Sequence, residues 1–462
     1  MKITLYGAAG NVTGSAYFVQ TNHAALLVDF GAFQGESDEM QNHLTVPFNV
    51  GLLNSVLLTH GHLDHCGRLP LLVKKGYANP VYATRATIEL AKLVLLDSVK
   101  VQKSELKRSN KKRAKNGLPP EEMPYDEEDV EEVIKLFQEI PYNESVRVAP
   151  GCKVTAHEAG HILGSVSYRL SVDEGGKEKT VVFSGDIGPY NMAIINDPDP
   201  FTNADLVFME STYGDRDHRS QEATIQEGIE VVKKAIQNRG KILVPAFAIG
   251  RTQHLLYFMA KAVELDMLDE IPIYLDSPMG IEASKIYGRH IELYDKEALD
   301  YYKKGVIKGD LSRIHVSESS EQSKALNGLE GTCMIIAGAG MCNAGRILHH
   351  LRHNLPNPHT SVMITGYQGK GTLGRRLIEG AKSVRIFGEE IVVNAEIHSL
   401  NGLSAHAGQS DLLRWFDAIA ASKPKLVLSH GEDRARIPLA EIIHKKYEIQ
   451  AILPEYGEVI EL

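Results

Sequence analysis

Three imidazoles and one carboxylate fall within six consecutive residues near position 60 of the chain: His60, His62, Asp64 and His65. The apolar run 55–58 precedes them, so we expect the cluster to follow a strand at the edge of a sheet. Residues two apart on an extended chain point to the same side, so His60 and His62 are placed to share one ion. Asp64 and His65 are then expected to hold a second ion. Imidazole nitrogen and carboxylate oxygen without thiolate are ligands typical of zinc sites, and ordinary surface or core histidines are the less favoured interpretation.

Several other apolar strands also end in a residue that can bind a metal. These residues are Asp29, Asp186, Glu210 and His430, together with His161 in a glycine-flanked stretch. A tetrahedral zinc ion needs about four ligands, and the cluster near position 60 supplies only two for each ion. We therefore expect His161 and His430 to complete the two sites. A carboxylate such as Asp186 can bridge two ions that lie roughly 3.5–4 Å apart, the separation used in two-metal hydrolysis of phosphodiesters.

The segment His157–His161 also matches HExxH, the zinc-protease motif, which requires a helix that places both histidines on one face. Gly160 lies inside the motif, Gly164 follows it, and β-branched residues precede it. These are poor helix signals, so the pattern disfavours a metalloprotease.

The pattern of apolar residues changes along the chain. Short strands dominate residues 1–60, and helices are expected at 87–113 and 126–138. From about residue 215 longer helices alternate with apolar strands, which is typical of βαβ units and a parallel sheet. With 462 residues, the chain is long enough for two domains.

Composition indicates an ordinary globular protein with a formal net charge of −9. Its four cysteines are scattered without a CxxC pair, and neither a signal peptide nor a membrane-spanning apolar run is evident, so we expect a cytoplasmic protein that is not bound to a membrane. Residues 100–115 hold eight basic side chains and one acid, and an acidic run follows at 121–132. We interpret these as two solvated helical faces that partly offset one another.

Taken in order, the motifs resemble those of the metallo-β-lactamase superfamily. The resemblance is carried by Asp29, the sequence THGHLDH at 59–65, His161 in AGHILGS, Asp186 in FSGDIG and His430 in LSHGE. Further motifs resemble the β-CASP group within it: Glu210 in MESTYGDR, LVPAFAIGRTQ at 243–253, Asp276-Ser277-Pro278, Gly340-Met341 with Gly345-Arg346, and His406 in LSAHAG. This group includes nucleases related to the endonuclease subunit of the cleavage and polyadenylation specificity factor, and the chain is similar to their short bacterial and archaeal form.

The resemblance implies an α/β fold in which an αββα metallo-β-lactamase domain carries an inserted β-CASP domain, a parallel sheet flanked by helices. The expected boundaries are 1–210 and 390–462 for the first domain and 211–389 for the second.

The resemblance also assigns roles to residues. It implies that His60, His62, His161 and Asp186 hold one zinc ion and that Asp64, His65, Asp186 and His430 hold the other. Asp29 would orient these ligands through hydrogen bonds. Asp64, Glu210 and His406 would be catalytic, with His406 delivering a proton to the leaving oxygen and Glu210 assisting it.

Other residues are candidates for contacts to phosphate. The glycine-rich loop around Gly340 could present backbone N–H groups to a phosphate, although a tight turn explains it at least as well. Arg251, Arg346, Lys370, Arg375 and Arg376 are candidate phosphate contacts, with surface solubility as the alternative. We expect His398 to line the site or to be structural.

The function implied is zinc-dependent hydrolysis of single-stranded RNA by metal-activated hydroxide, which leaves 3′-hydroxyl and 5′-phosphate ends. In the family a histidine at the last motif accompanies RNA substrates, so His430 favours RNA over DNA. The alternatives are a hydrolase of esters, thioesters or DNA, and an RNA-binding scaffold without activity. Endonuclease or exonuclease action, and assembly as a homodimer, stay open.

Overall fold

The computed structural model of the protein describes residues 1–34, 42, 46–269, 271–304, 314–366, 368–369 and 371–462. Contacts divide the chain into two compact units. Unit 1 comprises Met1–Met192, Asp197–Asp217 and His406–Leu462, and unit 2 comprises Ala193–Asn196 and His218–Ala405.

The first sheet of unit 1 is mixed. Its strands are β1 (Lys2–Leu5), β2 (Tyr17–Gln20), β3 (Ala25–Val28), β4 (Leu53–Leu57), β5 (Val81–Ala83), β6 (Phe137–Glu139) and β22 (Val459–Glu461). They lie in the order β22-β1-β2-β3-β4-β5-β6. β3 to β6 run parallel, so their carboxyl ends meet at one edge.

The second sheet of unit 1 has a similar design. Its strands are β7 (Ser145–Ala149), β8 (Cys152–Glu158), β9 (Val166–Asp173), β10 (Glu178–Phe183), β11 (Leu206–Glu210), β20 (Lys425–Ser429) and β21 (Ala451–Ile452). Their order is β21-β20-β11-β10-β9-β8-β7, and β10, β11, β20 and β21 run parallel. The carboxyl ends of β8, β10, β11 and β20 therefore share an edge, because β8 and β10 are both antiparallel to β9.

Helices cover the outer faces of these sheets. They are α1 (Leu63–Cys66), α2 (Leu69–Lys74), α3 (Arg85–Lys115), α4 (Glu127–Leu136), α12 (Gln409–Ala420) and α13 (Asp433–Tyr447). Strand β11 shows why four layers form, since alternate residues of a strand face opposite sides. Leu206 and Phe208 belong to the core between the sheets, whereas Val207 and Met209 pack with Trp415 of α12.

Unit 2 is built on a parallel sheet. Its strands are β12 (Lys241–Pro245), β13 (Ile273–Asp276), β14 (Ile314–Val316), β15 (Cys333–Ala337), β16 (Ser361–Ile364) and β19 (Glu396–Ser399), with a separate hairpin of β17 (Ser383–Ile386) and β18 (Glu389–Val392). The sheet order is β14-β13-β15-β12-β16-β19. Its helices are α5 (Gln221–Asn238), α6 (Arg251–Glu264), α7 (Pro278–Arg289), α8 (Lys296–Lys303), α9 (Ser320–Leu326), α10 (Ile347–Asn354) and α11 (Leu373–Ile378).

The predicted fold class is confirmed, and two details differ from expectation. Unit 2 continues to Ala405, whereas the expected boundary lies at 389, because β19 pairs in parallel with β16; unit 1 likewise continues to Asp217, whereas the expected boundary lies at 210. The helix expected at 126–138 ends at Leu136, since residues 137–139 form β6 on the edge of β5.

Two further expectations concern the whole chain. Among the described residues, no helix is long and apolar enough to cross a membrane. The four cysteines are buried free thiols.

Candidate metal centre

The predicted ligands come together at one edge of unit 1. Asp29 follows β3, residues 60–65 follow β4, His161 follows β8, Asp186 follows β10 and His430 follows β20. In sheets with parallel strands, binding sites form outside the carboxyl ends of the strands. The fold therefore gathers residues that lie as far apart in the sequence as Asp29 and His430.

The first group of ligands consists of three imidazoles and a carboxylate. His62 Nδ1 lies 3.1 Å from His60 Nε2 and 3.1 Å from His161 Nε2. Asp186 Oδ2 lies 3.4 Å from His60 Nε2 and 3.5 Å from His161 Nε2. Ligand atoms around a tetrahedral zinc ion, at about 2.0–2.1 Å from the metal, are about 3.3–3.4 Å apart. The spacing of the four atoms therefore suits zinc.

The second group lies on the other side of the Asp186 carboxylate. His65 Nε2 lies 3.3 Å from His430 Nε2 and 3.3 Å from Asp186 Oδ1. Asp64 Oδ2 completes the group at 3.6 Å from His430 Nε2 and 3.9 Å from His65 Nε2. Asp186 thus turns one oxygen toward each group, as a carboxylate that bridges two ions would.

The surroundings of the Asp186 carboxylate indicate whether a cation fits between the two groups. The residue is 2 % exposed, and its Oδ1 atom has no hydrogen-bond donor among the described residues. A buried carboxylate oxygen left in this way is costly unless a cation satisfies it. The donor set therefore fits a metal cation at this carboxylate.

Asp29 orients two of the predicted ligands, His65 directly and His60 through Thr59. With φ at 56°, Asp29 turns its carboxylate back, and it accepts hydrogen bonds from Thr59 N and Thr59 Oγ1, both at 2.8 Å. His65 Nδ1 donates to Asp29 Oδ2 at 2.7 Å, and His60 Nδ1 lies 3.1 Å from Thr59 Oγ1. With the proton on Nδ1 in each ring, the Nε2 lone pair would be available to a metal ion.

Thr212 orients the ring of His430 in a similar way, a role that we did not predict from the sequence. Its Oγ1 atom donates to the carbonyl of His430 at 3.1 Å and lies 3.1 Å from His430 Nδ1. The Nδ1 proton can therefore donate to Thr212, which leaves His430 Nε2 as the ligand atom. The sequence offers only a weak signal for this role, namely that Thr212 follows the motif residue Glu210 by two positions.

The electrostatics of the cluster favour metal binding. Burial lowers the pKa of both His60 and His62, which keeps these rings neutral. Burial raises the pKa of Asp64, but the hydrogen bond from His430 and the charge of His65 outweigh it and bring the pKa to about 2. Burial lowers the pKa of His65, yet Asp186 and Asp29 raise it well above its usual value. The carboxylates that favour a proton on His65 equally favour a metal cation.

Beside the ligands, His406 faces Glu210. His406 Nδ1 lies 3.2 Å from Glu210 Oε1, and the Glu210 carboxylate accepts backbone N–H bonds from Ile187 at 2.8 Å and Thr212 at 3.2 Å. Burial lowers the pKa of His406, but the charge of Glu210 raises it more, to about 9. The His406 side chain is 24 % exposed while Glu210 is fully buried. The pair thus presents a protonated imidazole held by a fixed carboxylate.

His406 also has the geometry of an additional ligand. Together with Asp186 and His430 it forms a third group able to hold an ion. Its Nδ1 atom is nevertheless closer to Glu210 Oε1, at 3.2 Å, than to Asp186 Oδ2, at 3.9 Å. This favours the orientation of a proton donor over that of a ligand.

Arg346, a predicted phosphate contact, is engaged within unit 2. Its Nη1 atom donates to Asp276 Oδ1 at 2.7 Å and to the Ser317 carbonyl at 2.7 Å, and its Nη2 atom donates to the Glu318 carbonyl at 2.9 Å. Its donors are therefore directed to the protein, and phosphate contact by Arg346 stays an untested prediction.

The other predicted phosphate contacts also lie in unit 2. Arg251 is buried at the start of α6, Arg375 pairs with Glu379 at 2.6 Å, and Arg376 lies on the exposed side of α11. The Gly340 carbonyl accepts a hydrogen bond from Gln368 at 2.9 Å. Lys370 lies outside the described residues.

Two further histidines have clear surroundings. His157 lies on β8 and pairs with Asp199 at 3.1 Å, so the HExxH segment begins on a strand and the protease motif is excluded. His398 lies on β19 in unit 2, 3.5 Å from Glu396.

Comparison with known families finds three matches along the chain. Residues 18–187 match the metallo-beta-lactamase superfamily domain, residues 252–377 the Beta-Casp domain, and residues 390–454 the Zn-dependent metallo-hydrolase RNA specificity domain.

The chain is also similar to characterised proteins over its whole length. It is 37 % identical to the ribonuclease TTHA0252 of Thermus thermophilus, with 99 % of each chain covered. It is 31 % identical to the transcription termination factor FttA of Pyrococcus horikoshii, covering 100 % of this chain and 71 % of that protein. A crystal structure of a protein of unknown function from Enterococcus faecalis shares the fold at 15 % identity, with a TM-score of 0.56 over 100 % of this chain and 99 % of the other.

Proposed function

The chain belongs to the β-CASP group of the metallo-β-lactamase superfamily and is a metal-dependent nuclease, and we propose that it hydrolyses single-stranded RNA with two zinc ions, leaving 3′-hydroxyl and 5′-phosphate ends. The observation that carries this proposal is the pairing of His406 with Glu210 beside two ligand groups bridged by Asp186. A metal site alone would support many hydrolases, whereas a proton donor next to a two-metal site suits cleavage of a phosphodiester.

The two ligand groups would divide the zinc ions between them. One ion would be held by His60, His62 and His161, the other by Asp64, His65 and His430, with Asp186 shared. When bound, the ions would lower the pKa of a water molecule and stabilise charge on the phosphoryl oxygens. Asp29, through His65 and Thr59, holds the ligand atoms in the orientation that this requires.

His406 would act on the leaving group. The Glu210 carboxylate at 3.2 Å favours a proton on the ring, so His406 can donate a proton to the departing 3′ oxygen. Glu210 fixes the ring through Nδ1, which leaves Nε2 to carry the transferred proton. Proton delivery to the 3′ oxygen accounts for a 3′-hydroxyl end and leaves the phosphate on the 5′ side.

Three observations favour RNA as the substrate. The match of residues 390–454 to an RNA specificity domain covers both His406 and His430, and a relative at 37 % identity is a ribonuclease. His430 is the histidine that accompanies RNA substrates in this family, and it lies within the second ligand group.

The decisive experiment incubates zinc-loaded protein with end-labelled single-stranded RNA and with DNA of the same sequence, and then maps product lengths and termini. We expect RNA fragments with 3′-hydroxyl and 5′-phosphate ends and little cleavage of DNA. Asp64→Ala should lose zinc and activity together, while His353→Ala, at an exposed histidine, should match the wild type. Intact RNA alongside hydrolysis of small esters or thioesters would overturn the proposal in favour of another lactamase-fold hydrolase. Retained RNA binding without any cleavage would indicate a scaffold.

A further inference from the structure

We propose that the outer half of α3, residues 100–115, is a docking surface for the phosphate backbone of RNA that extends beyond the metal centre. This inference rests on the proposed function, because it takes RNA as the substrate. It concerns a part of unit 1 that supplies no metal ligand, and it revises the interpretation of this segment as a solvated face offset by acids.

The basic residues of this half are concentrated in a protein of net charge −9. They are Lys100, Lys103, Lys107, Arg108, Lys111, Lys112, Arg113 and Lys115, with Glu105 the one acid among them. The segment is continuous helix, and most of these side chains are exposed. A local cationic surface on an acidic protein concentrates polyanions without attracting them elsewhere.

The acidic segment that follows covers only one side of α3. Glu121 contacts Arg113 at 2.8 Å and also Ser109 and Asn110, and Glu127 pairs with Lys103 at 3.6 Å. At about 100° per residue, these four α3 positions fall within about 120° of the helix circumference.

The remaining six basic residues lie on the opposite side. Lys100, Lys107, Lys111 and Lys115 follow one line along the helix, since they are spaced by seven, four and four residues, and Arg108 and Lys112 lie beside that line. None of the six forms an ion pair with a carboxylate in the part of the chain that the structure describes. The charge of Lys100 acts on Asp97 one turn before it. The acids at 121–132, however, do not neutralise this face, which extends about 22 Å along the helix axis.

The inner half of α3 is packed against both ligand loops. A side chain at Gly61, between His60 and His62, would meet Leu90 Cβ at 2.9 Å and Ala91 N at 3.1 Å. Thr84 and Thr87 donate hydrogen bonds to the Gly164 carbonyl at 2.6 and 2.7 Å, next to the His161 loop. The helix thus extends away from the ligand loops, and its basic residues begin about 14 Å and end about 36 Å from Ala91 along the helix axis.

Phosphate is a better fit than a membrane. Binding to a lipid surface by a helix requires a wide apolar face beside the basic one, and Val101 is the one large apolar side chain among the exposed residues of the basic face. A row of lysines about one helical turn apart suits a flexible polyanion, because each contact releases counterions without requiring a particular base.

The test measures RNA binding to the full chain without metal, so that cleavage does not interfere. Fluorescence anisotropy would compare a 30-nucleotide and a 6-nucleotide single strand over a range of salt concentrations. The variant Lys100→Gln, Lys107→Gln, Lys111→Gln, Lys115→Gln removes four charges and keeps side chains of similar helix propensity. The matched control carries arginine at the same four positions.

We expect the glutamine variant to bind the 30-nucleotide RNA at least about tenfold more weakly at low salt, with a slope of log K against log salt reduced by about 3. The arginine control should restore both values. Wild-type affinity and slope in the glutamine variant, with its helix content intact by circular dichroism, would overturn the docking surface.

This outcome is separable from the proposed function. If zinc-loaded protein cleaves RNA but the glutamine variant binds normally, only the docking surface fails. If no RNA is cleaved while long-RNA binding still depends on the four lysines, the nuclease proposal fails and the docking surface stands.

Discussion

Each unit of the protein contains a buried cluster of carboxylate and imidazole side chains at the carboxyl ends of parallel strands, and the two clusters differ in how their polar atoms are satisfied. In unit 2, Asp276 Oδ2 accepts hydrogen bonds from Ser323 and His350, both at 2.6 Å, and Asp276 Oδ1 accepts one from Arg346 at 2.7 Å. In unit 1, Asp186 Oδ1 has no donor among the described residues, and imidazole nitrogens face one another at 3.1–3.3 Å.

The difference shows that composition does not identify a metal site, whereas the balance of donors and acceptors does. Burial raises the pKa of Asp276, but three hydrogen bonds from the protein outweigh it and lower the pKa overall. The Asp276 cluster is complete without a metal and serves the fold. In the Asp186 cluster, by contrast, Asp186 Oδ1 lacks such a set of donors among the described residues, and a metal cation would satisfy it.

The largest effect should come from Asp186→Ala. This variant removes the oxygen that each ligand group uses, so we expect zinc to fall from about two ions per chain to about one or none. Loss of several kcal/mol of transition-state stabilisation lowers RNA cleavage on the order of 10⁴-fold. Zinc is measured by mass spectrometry and cleavage with end-labelled RNA. Asp276→Asn is the matched control and should keep its zinc. Loss of zinc in that control would contradict the inference that only the Asp186 cluster binds metal.

The next largest effect is expected at His406, which lies beside the Asp186 cluster and which we assign to proton transfer. His406→Ala should lower kcat for RNA by about 10²–10⁴-fold, the usual contribution of a general acid, and should keep both zinc ions. Zinc content and kcat are measured on the same preparation. A variant that loses zinc would instead show that His406 belongs to the third ligand group, with Asp186 and His430.

The sequence predicts the Asp186 cluster of unit 1 better than the Asp276 cluster of unit 2, for a physical reason. The predicted metal ligands follow apolar strands, and four of them lie within six residues, so a local pattern indicates them. Asp276 forms its hydrogen bonds with residues 47, 70 and 74 positions away, and no local pattern marks them. The pairing of Glu210 with His406 spans 196 positions and was expected from family resemblance alone.

Prediction from the sequence was also limited by residues that have two plausible uses. An arginine such as Arg346 can bind phosphate or satisfy a buried carboxylate, and only the folded chain shows that its donors go to Asp276 and two carbonyls. Likewise the basic and acidic runs after residue 100 look balanced in sequence. The helix separates them because the acids contact one side of α3 and most of the basic residues lie on the other.

A third prediction tests whether the Asp276 cluster serves the fold. Asp276→Asn weakens three hydrogen bonds and leaves the Arg346 charge without its partner, so we expect the free energy of unfolding to fall by about 3 kcal/mol. Urea denaturation followed by circular dichroism measures it. Glu379→Gln, which breaks the exposed pair with Arg375, should cost less than about 1 kcal/mol. Equal stability of the two variants would contradict a structural role for the Asp276 cluster.

The smallest expected effect is on the pH dependence of stability, and it comes from His254. This buried histidine lies near the cation Arg251, whereas His350 contacts the carboxylate of Asp276. Burial and the charge of Arg251 lower the pKa of His254 to about 3, whereas His350 donates to Asp276. Because the folded-state pKa lies below the unfolded value of about 6.5, folding favours the neutral ring. This contribution to stability is complete above pH 6.5 and is lost as the pH falls toward 3.

Between pH 7 and pH 5.5 the metal-free protein should lose about 1 kcal/mol more stability than His254→Gln does, as measured by urea denaturation at each pH. The exposed His359→Gln serves as control and should keep the wild-type dependence on pH. If His254→Gln also keeps the wild-type dependence on pH, burial does not hold the His254 ring neutral. His254 would then have to be stabilised in its protonated form by an acceptor, as His350 is placed to be by Asp276.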